Sequence, residues 1–170
     1  DQLLLATNKG LFKYNFDSNN LIKILKFSQS KYQTTDDNIP DFLKDKSGNY
    51  WLASRSIGLL KWPPATTRFS HITSTTNPKL SDANVWVIHQ DRLDDIWVGT
   101  SNGLNQYSAQ NQTNQNYLTR VNEKSIYGMQ YISNIFPYEG DEEKLWIWND
   151  EGLFIFDKIS KELTTPKLSS

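Results

Sequence analysis

The chain has 170 residues, with 18 Lys and Arg against 19 Asp and Glu, so its formal net charge is −1 at pH 7. Its charges are scattered, which excludes the basic stripe that nucleic-acid binding requires. The absence of cysteine excludes disulfides, thiolate metal sites and a cysteine nucleophile. No apolar run is long enough for a membrane-spanning helix, so we expect no membrane contact by this segment.

One strand–turn–strand pattern occurs four times along the chain. Each copy has a large apolar or aromatic residue, a short polar turn, Gly-Leu and a later aromatic residue. The copies are Leu4-Leu5-Ala6-Thr7 with Gly10-Leu11, Tyr50-Trp51-Leu52-Ala53 with Gly58-Leu59, Ile96-Trp97-Val98-Gly99 with Gly103-Leu104, and Leu145-Trp146-Ile147-Trp148 with Gly152-Leu153. Aromatic and β-branched residues in such short runs favour strands. The glycine suits the positive φ of a tight hairpin turn.

A further, inner strand is predicted before each of the last three copies, followed by an acidic turn, and a weaker outer strand follows each copy. The inner segments are 38–42, 84–88 and 133–136, and the acidic turns are 45–48, 91–94 and 140–143. The outer segments include 68–72 and 117–121. The copies recur about every 45 to 50 residues, the length of a four-stranded propeller blade.

The sequence therefore predicts an all-β fold: a β-propeller fragment of about four blades, each a four-stranded antiparallel sheet. The approximate blade boundaries are 1–30, 36–73, 82–122 and 131–166. The chain starts almost directly on a second strand, so we expect the first blade to lack its inner strand. We also expect the fragment to be cut from a longer chain. Because blades at either end leave apolar faces uncovered, we expect self-association through those faces.

The third copy, continuing as Thr100-Ser101-Asn102-Gly103-Leu104-Asn105-Gln106-Tyr107, resembles the regulator-propeller repeat. The other copies resemble it with departures: an additional turn residue within 53–57, and Trp148-Asn149-Asp150 in place of the usual Gly-Thr. The resemblance implies the extracytoplasmic sensor region of a bacterial hybrid histidine kinase or diguanylate cyclase. It further implies a periplasmic location and a membrane-anchored parent protein.

A propeller opens onto a central channel, and we expect the turns between second and third strands and the starts of the inner strands to form its rim. Such a rim offers convergent donors and acceptors beside aromatic rings, which suits an uncharged polar ligand such as an oligosaccharide. The candidate residues are Asn38, Arg55, Ser56, Asn84, Trp86, Ser101, Asn102, Asn134, Trp148, Asn149 and Asp150. For the three asparagines that start inner strands, a structural turn-closing role is the competing interpretation.

The tryptophans divide into two groups by register. Trp51, Trp97 and Trp146 occupy the repeated strand position and are predicted to be buried between blades. Trp86 and Trp148 lie outside that register, so we predict that they face the ligand.

Metal binding and catalysis find little support in the sequence. The acidic turns lack the alternation of an EF-hand loop, so we interpret them as solvated turns and predict no metal or cofactor. His71 and His89 lie in no nucleophile or metal motif. Glu142 and Glu143 are adjacent on one turn rather than flanking a cleft, as a glycosidase would require. We therefore predict that this fragment is not an enzyme.

Three functions remain open. The leading one is a ligand-sensing propeller of a transmembrane signalling protein, which relays binding by domain or dimer rearrangement. The second is a structural or protein-interaction propeller that mediates dimerisation. The third is a carbohydrate-active or lyase-like propeller enzyme, since fold alone does not decide function.

Overall fold

The structure, a computed structural model, describes residues 2–25, 38–63, 69–118 and 131–167. These residues form 15 strands in four antiparallel sheets, and no helix occurs among them. Parts of the predicted blades and outer strands in 26–30, 36–37, 64–68 and 119–122 lie outside the described residues.

Each sheet is a meander in which neighbouring strands follow one another along the chain. Sheet A contains β1 (Gln2–Thr7), β2 (Gly10–Asn15) and β3 (Asn20–Leu25). Sheet B contains β4 (Phe42–Lys44), β5 (Tyr50–Ser54), β6 (Gly58–Trp62) and β7 (Ser70–Ile72). Sheet C contains β8 (Val85–Gln90), β9 (Asp95–Thr100), β10 (Gly103–Ser108) and β11 (Thr113–Tyr117). Sheet D contains β12 (Asn134–Pro137), β13 (Lys144–Asn149), β14 (Gly152–Asp157) and β15 (Leu163–Thr164). The predicted fold, an all-β propeller fragment of about four blades, is confirmed.

The inner strand of sheet B is shorter than the sequence pattern indicated. Only Phe42–Lys44 belongs to the strand that pairs with β5. Residues 38–41 lie outside that strand, although the carbonyl of Asp41 accepts from the amide of Ala53 at 2.9 Å. Pro40 within this segment has no backbone N–H to donate, which weakens any ladder at that point.

A side chain at the end of each second strand closes the turn that follows it. In sheet C the hydroxyl of Thr100 accepts from the amide of Asn102 at 3.1 Å and donates to the carbonyl of Gly103 at 3.0 Å. Thr7 makes the same pair of bonds in sheet A. Gly103 has φ +102, a conformation that side-chain-bearing residues rarely adopt. The repeated glycine is thus required by the turn, as predicted.

The core consists of apolar layers between successive sheets. Trp51 and Trp97 are both 0% exposed, which confirms their predicted burial. Trp51 packs from sheet B against Tyr107 of sheet C, with ring centroids 5.5 Å apart. Trp97 packs from sheet C against Phe156 of sheet D, at 5.8 Å. Truncating a buried aromatic ring of this size to alanine typically costs about 3–5 kcal/mol, so each tryptophan is a principal link between two sheets.

The burial prediction is wrong for Trp146. This residue is half-buried and stacks on Tyr138, with centroids 5.1 Å apart. It lies on the face of sheet D that no other described sheet covers, where Phe136 and Trp148 are 48% and 50% exposed. The outer face of sheet A is also apolar, with Leu3 44% exposed. The same repeated position is therefore buried or open according to whether a neighbouring sheet packs on it.

The acidic turns between the first and second strands of sheets B and C form hydrogen bonds with the buried tryptophans. The indole N–H of Trp51 donates to the Asp45 carboxylate at 2.8 Å, and Trp97 donates to Asp91 at the same distance. Asp91 also pairs with Lys158 at 3.2 Å, and both side chains are at most 10% exposed. Asp45 and Asp91 are therefore bonded to the core, whereas the sequence pattern predicts solvated turn residues at these positions.

The segment that leads into β12 packs directly against Gly99, so we predict that Gly99→Ala destabilises the protein. An added Cβ would lie 2.6 Å from Val87 Cγ1 and 2.8 Å from the carbonyl oxygen of Ile132. We expect the free energy of unfolding to fall by about 1–3 kcal/mol, as for other overpacked cores. Chemical denaturation measures this change. Ser74→Ala, at an exposed position, is the control and should change stability by less than about 0.5 kcal/mol. Equal stability of Gly99→Ala and wild type would contradict the close packing.

Asp45→Asn should destabilise the protein at neutral pH but not in acid. Burial alone would raise the pKa of Asp45, but hydrogen bonds from Asn49 and Trp51 and the charge of Lys61 outweigh it and lower the pKa below 3.8. A lowered folded-state pKa stabilises the fold above the ordinary pKa, and that contribution is lost as the pH falls through the folded value. We expect a loss of up to about 1 kcal/mol at pH 7, because solvent screens this partly exposed carboxylate, and a loss that shrinks as the pH falls below the ordinary pKa of aspartate.

Urea unfolding at pH 7 and pH 3 checks this dependence. Glu151→Gln, in an exposed turn, is the control and should unfold within about 0.5 kcal/mol of wild type. A loss for Asp45→Asn that is the same at pH 7 and pH 3 would show that its charge has no role.

Candidate ligand site at the channel mouth

The turns between second and third strands lie beside the starts of the inner strands, at one end of the sheets. The amide of Arg55 donates to the carbonyl of Asn38 at 3.2 Å in sheet B. The amide of Ser101 donates to the carbonyl of Asn84 at 3.0 Å in sheet C. These bonds bring four candidate residues to the same end, which we term the channel mouth.

Four predicted residues form one bonded cluster there: Arg55, Asn84, Trp86 and Ser101. The guanidinium Nε of Arg55 donates to Asn84 Oδ1 at 2.8 Å. Its central carbon lies 3.2 Å from the centroid of the Trp86 ring. The indole N–H of Trp86 donates to the hydroxyl of Ser101 at 2.9 Å. All four are partly buried, so this mouth cluster joins the β5–β6 turn of sheet B to the inner strand and turn of sheet C.

Both ring faces of Trp86, which the sequence predicts to face the ligand, are covered by neighbouring side chains. Tyr131, in the segment that leads into β12, stacks on the indole with centroids 5.0 Å apart and planes 28° from parallel. Because the guanidinium of Arg55 lies only 3.2 Å from the ring, a second ring does not fit on that side. The two groups therefore cover opposite faces of the indole. Tyr131 is not predictable as a site residue from the sequence, since no repeated residue type marks its position.

Three other predicted residues are engaged in turns. Asn149 is buried, and its Oδ1 accepts from the amides of Glu151 and Gly152 at 2.9 and 3.1 Å. It thereby takes the turn-closing part that Thr100 has in sheet C. The amide of Ser56 donates to the Ser54 hydroxyl at 3.3 Å. The Asn102 side chain donates to the carbonyl of Ser81 at 3.3 Å.

The remaining candidates, Asn134, Trp148 and Asp150, lie on or beside the open side of sheet D. Asn134 is opposite Trp148 in the β12–β13 register, and Asp150 is exposed in the next turn. Ser133 links the start of β12 to β13, because both its amide and its hydroxyl donate to the carbonyl of Trp148. Within the described residues, no hydrogen bond or ring contact joins these three side chains to the mouth cluster. The structure thus places these three side chains on sheet D, without a direct contact to the mouth cluster.

A cleft of about 390 Å³ extends from the mouth cluster along the inner strands. It is lined by Pro40, Asp41, Trp86, Val87, Ile88, Ser133, Asn134, Ile135 and Phe136. Asp41 closes part of the free edge of β8, because its Oδ2 accepts from the amide of Ile88 at 2.9 Å. Burial raises the pKa of Asp41, and the hydrogen bonds from Ile88 and Phe42 oppose that shift only partly. Asp41 was not a candidate in the sequence analysis, although an acid within an apolar inner segment is a signal of such a role.

A second cleft, of about 570 Å³, lies at the opposite end between sheets C and D. Its charges are largely paired with one another: Arg92 with Glu142, Lys144 with Asp141, and Lys158 with Asp91. Burial lowers the pKa of His89, which also lines this cleft. Among the described residues, no cluster of three or more metal-binding side chains occurs here or elsewhere. Two of these pairs, Arg92 with Glu142 and Lys158 with Asp91, join sheet C to sheet D.

Residues 79–102 match the family described as Two component regulator propeller. This segment runs from the loop before β8 to the β9–β10 turn, and it includes Trp86, Ser101 and Asn102. The resemblance inferred from the third copy is confirmed by this match. No curated protein sequence matches the chain.

The solved structures that resemble the chain include the following three. The extracellular domain of a putative one component system from B. thetaiotaomicron aligns over 94% of this chain, at 19% identity and a TM-score of 0.51. PorZ of Porphyromonas gingivalis, an essential bacterial surface component of the type-IX secretion system, aligns over 89%, at 18% identity and a TM-score of 0.54. The extracellular domain of a putative hybrid two component system from B. thetaiotaomicron aligns over 99%, at 19% identity and a TM-score of 0.48.

The chain spans only 28%, 29% and 27%, respectively, of the lengths of these three structures. At such identities the first two comparisons establish a shared fold and nothing further. In the part of the chain that the structure describes, no helix has the length and apolar character needed to cross a membrane.

The contact between Arg55 and Trp86 should appear as an energetic coupling in a double-mutant cycle. We expect Arg55→Met and Trp86→Leu to be coupled by about 0.5–2 kcal/mol in the free energy of unfolding, the range for partly desolvated cation–π pairs. Lys9→Met with Trp86→Leu is the matched control, since Lys9 is an exposed cation in the equivalent turn of sheet A. Additive effects of Arg55→Met and Trp86→Leu would contradict the stacked geometry.

Proposed function

We propose that this chain, which contains a two component regulator propeller repeat, is part of the extracytoplasmic ligand-sensing propeller of a transmembrane signal-transduction protein. The observation that carries the proposal is the coincidence of the matched repeat with the mouth cluster, since Trp86 and Ser101 both lie within residues 79–102. The structural neighbours include extracellular domains of one component and hybrid two component systems, which supports an extracytoplasmic location.

The arrangement of the mouth cluster suits a sensor because it joins three sheets through one indole ring. Arg55 comes from sheet B, Trp86 from sheet C, and Tyr131 from the segment leading into sheet D. A ligand that contacts this cluster and the adjoining 390 Å³ cleft favours one packing of the sheets over others. A shift in packing is then passed to the rest of the parent protein as a domain or dimer rearrangement.

The ligand that we propose is a polar molecule such as an oligosaccharide. The cleft offers both apolar and polar side chains, including Phe136, Asn134 and Ser133. Sugar rings have an apolar face and a polar edge, and sites for such ligands combine an apolar lining with a few placed polar groups. Because Trp86 is covered on both faces, Phe136 is the aromatic side chain of this cleft available for stacking.

Thermal unfolding with a panel of neutral and acidic tri- to hexasaccharides tests this function. A bound sugar at about 100 times its Kd should raise the Tm by about 5–10 °C. Ser101→Ala should weaken binding about tenfold, because it removes a hydroxyl of the mouth cluster. Ser47→Ala is the matched control, in an exposed turn at the opposite end, and should bind like wild type.

Two outcomes would contradict the sensing function. If no sugar raises the Tm and light scattering shows a stable dimer, a protein-interaction propeller is the better description. If a sugar is consumed and a product appears, the chain is a carbohydrate-active enzyme.

A further inference from the structure

The mouth cluster presents unused hydrogen-bond donors beside oxygen atoms that each already accept one bond within the cluster. Asn84 Oδ1 accepts from Arg55 Nε, and the hydroxyl oxygen of Ser101 accepts from the indole of Trp86. The Arg55 Nε can only donate, so it fixes the orientation of the Asn84 amide with its oxygen inward and its nitrogen outward. The backbone carbonyl of Asn84 is taken by the amide of Ser101.

Four donor groups, from three residues, are left over at the same place. They are the two terminal amino groups of Arg55, the amide nitrogen of Asn84 and the hydroxyl hydrogen of Ser101, and none has a hydrogen-bond acceptor among the described residues. Arg55 is always cationic, yet it forms no ion pair within the described part of the chain. The neighbouring carboxylate of Asp82 accepts instead from the backbone amide of Asn84 at 2.7 Å.

The guanidinium is held in place before any ligand arrives. Nε is anchored on Asn84, and the flat face rests on Trp86, which Tyr131 supports from behind. A fixed, partly buried guanidinium presents two parallel N–H groups that match the two oxygens of a carboxylate. Because little side-chain entropy remains to be lost, such a fork binds an anion better than a free surface arginine does.

We propose that Arg55, with Asn84 and Ser101, binds the acidic group of an anionic saccharide, in place of the uncharged ligand that the sequence analysis predicted. The inference rests on the proposed function and names the chemistry of its ligand: a sugar with a carboxylate, such as a uronic acid. The carboxylate lies on Arg55, and the sugar ring extends into the cleft toward Asn134 and Phe136.

Nuclear magnetic resonance of the 15N-labelled chain provides a direct test, because the indole N–H of Trp86 reports from within the cluster. The ligands are glucuronate, its uncharged methyl ester and inorganic sulfate. We expect glucuronate to shift the Trp86 resonance saturably and to bind at least tenfold more tightly than the methyl ester or sulfate. Arg55→Gln should remove this preference, and Arg55→Lys should retain part of it, since lysine keeps the charge but not the fork. Lys9→Gln is the matched control and should leave binding unchanged.

Each other outcome overturns the inference in a distinguishable way. Equal affinity for glucuronate and its methyl ester would show that the carboxylate is not recognised and that the ligand is neutral. The proposed sensing function would be unaffected by that result. Sulfate binding as tight as glucuronate binding would mean a simple anion site without a saccharide. If neither glucuronate nor any sugar of the panel moves the Trp86 resonance, the anionic ligand and the proposed site both fail. The ester comparison uses wild-type protein only, so it remains decisive even if an Arg55 variant does not fold.

Discussion

The fold depends on the packing of each sheet against the next. A single four-stranded sheet of this size cannot bury both of its faces, and here Trp51 and Trp97 each project from one sheet into the core shared with the following sheet. The indole N–H of each is bonded to an acid at the end opposite the channel mouth. Burial and hydrogen bonding of these two side chains therefore determine how close successive sheets lie.

That packing also decides how close the backbone comes at the mouth. Gly99 allows the segment carrying Ile132 to cross directly over β9, where the amide of Ile132 donates to the carbonyl of Thr100 at 3.0 Å. Tyr131 precedes Ile132, so the same crossing brings its ring onto Trp86. The mouth cluster is thus a product of inter-sheet packing. Sheet D has Trp148 at the position equivalent to Gly99, and this face of sheet D is open in the described residues.

The mouth cluster and the acidic turns illustrate two uses of polar residues in one repeat. At the end opposite the channel mouth, the carboxylates of Asp45 and Asp91 accept hydrogen bonds from the buried indoles of Trp51 and Trp97. At the other end, the polar groups of Arg55, Asn84 and Ser101 are linked to one another and still have donors left over. A bonded but incompletely satisfied group of donors is typical of a binding site, whereas fully paired charges are typical of a structural contact.

Prediction from sequence succeeded where the signal is local and repeated. The strand–turn–strand copies, the glycine of the turn and the burial of Trp51 and Trp97 all follow from residue type and periodicity. It failed for Trp146, because burial of a strand face depends on whether another sheet covers it, and that is not encoded within the repeat. Asn149 was placed at the rim, but in the structure it closes the turn as Thr100 does, since its amide oxygen reaches two backbone amides.

The sequence by itself determined the all-β repeat architecture, because short runs of aromatic and β-branched residues and the turn glycines act within a few residues of one another. It also identified Arg55, Asn84, Trp86 and Ser101 as residues at one end of the sheets. Only the tertiary structure decided that these four bond to one another, that Tyr131 joins them and that Trp86 is covered on both faces. The physical reason is that these contacts join residues from three sheets, and the distance between sheets is set by side-chain packing that no local pattern specifies.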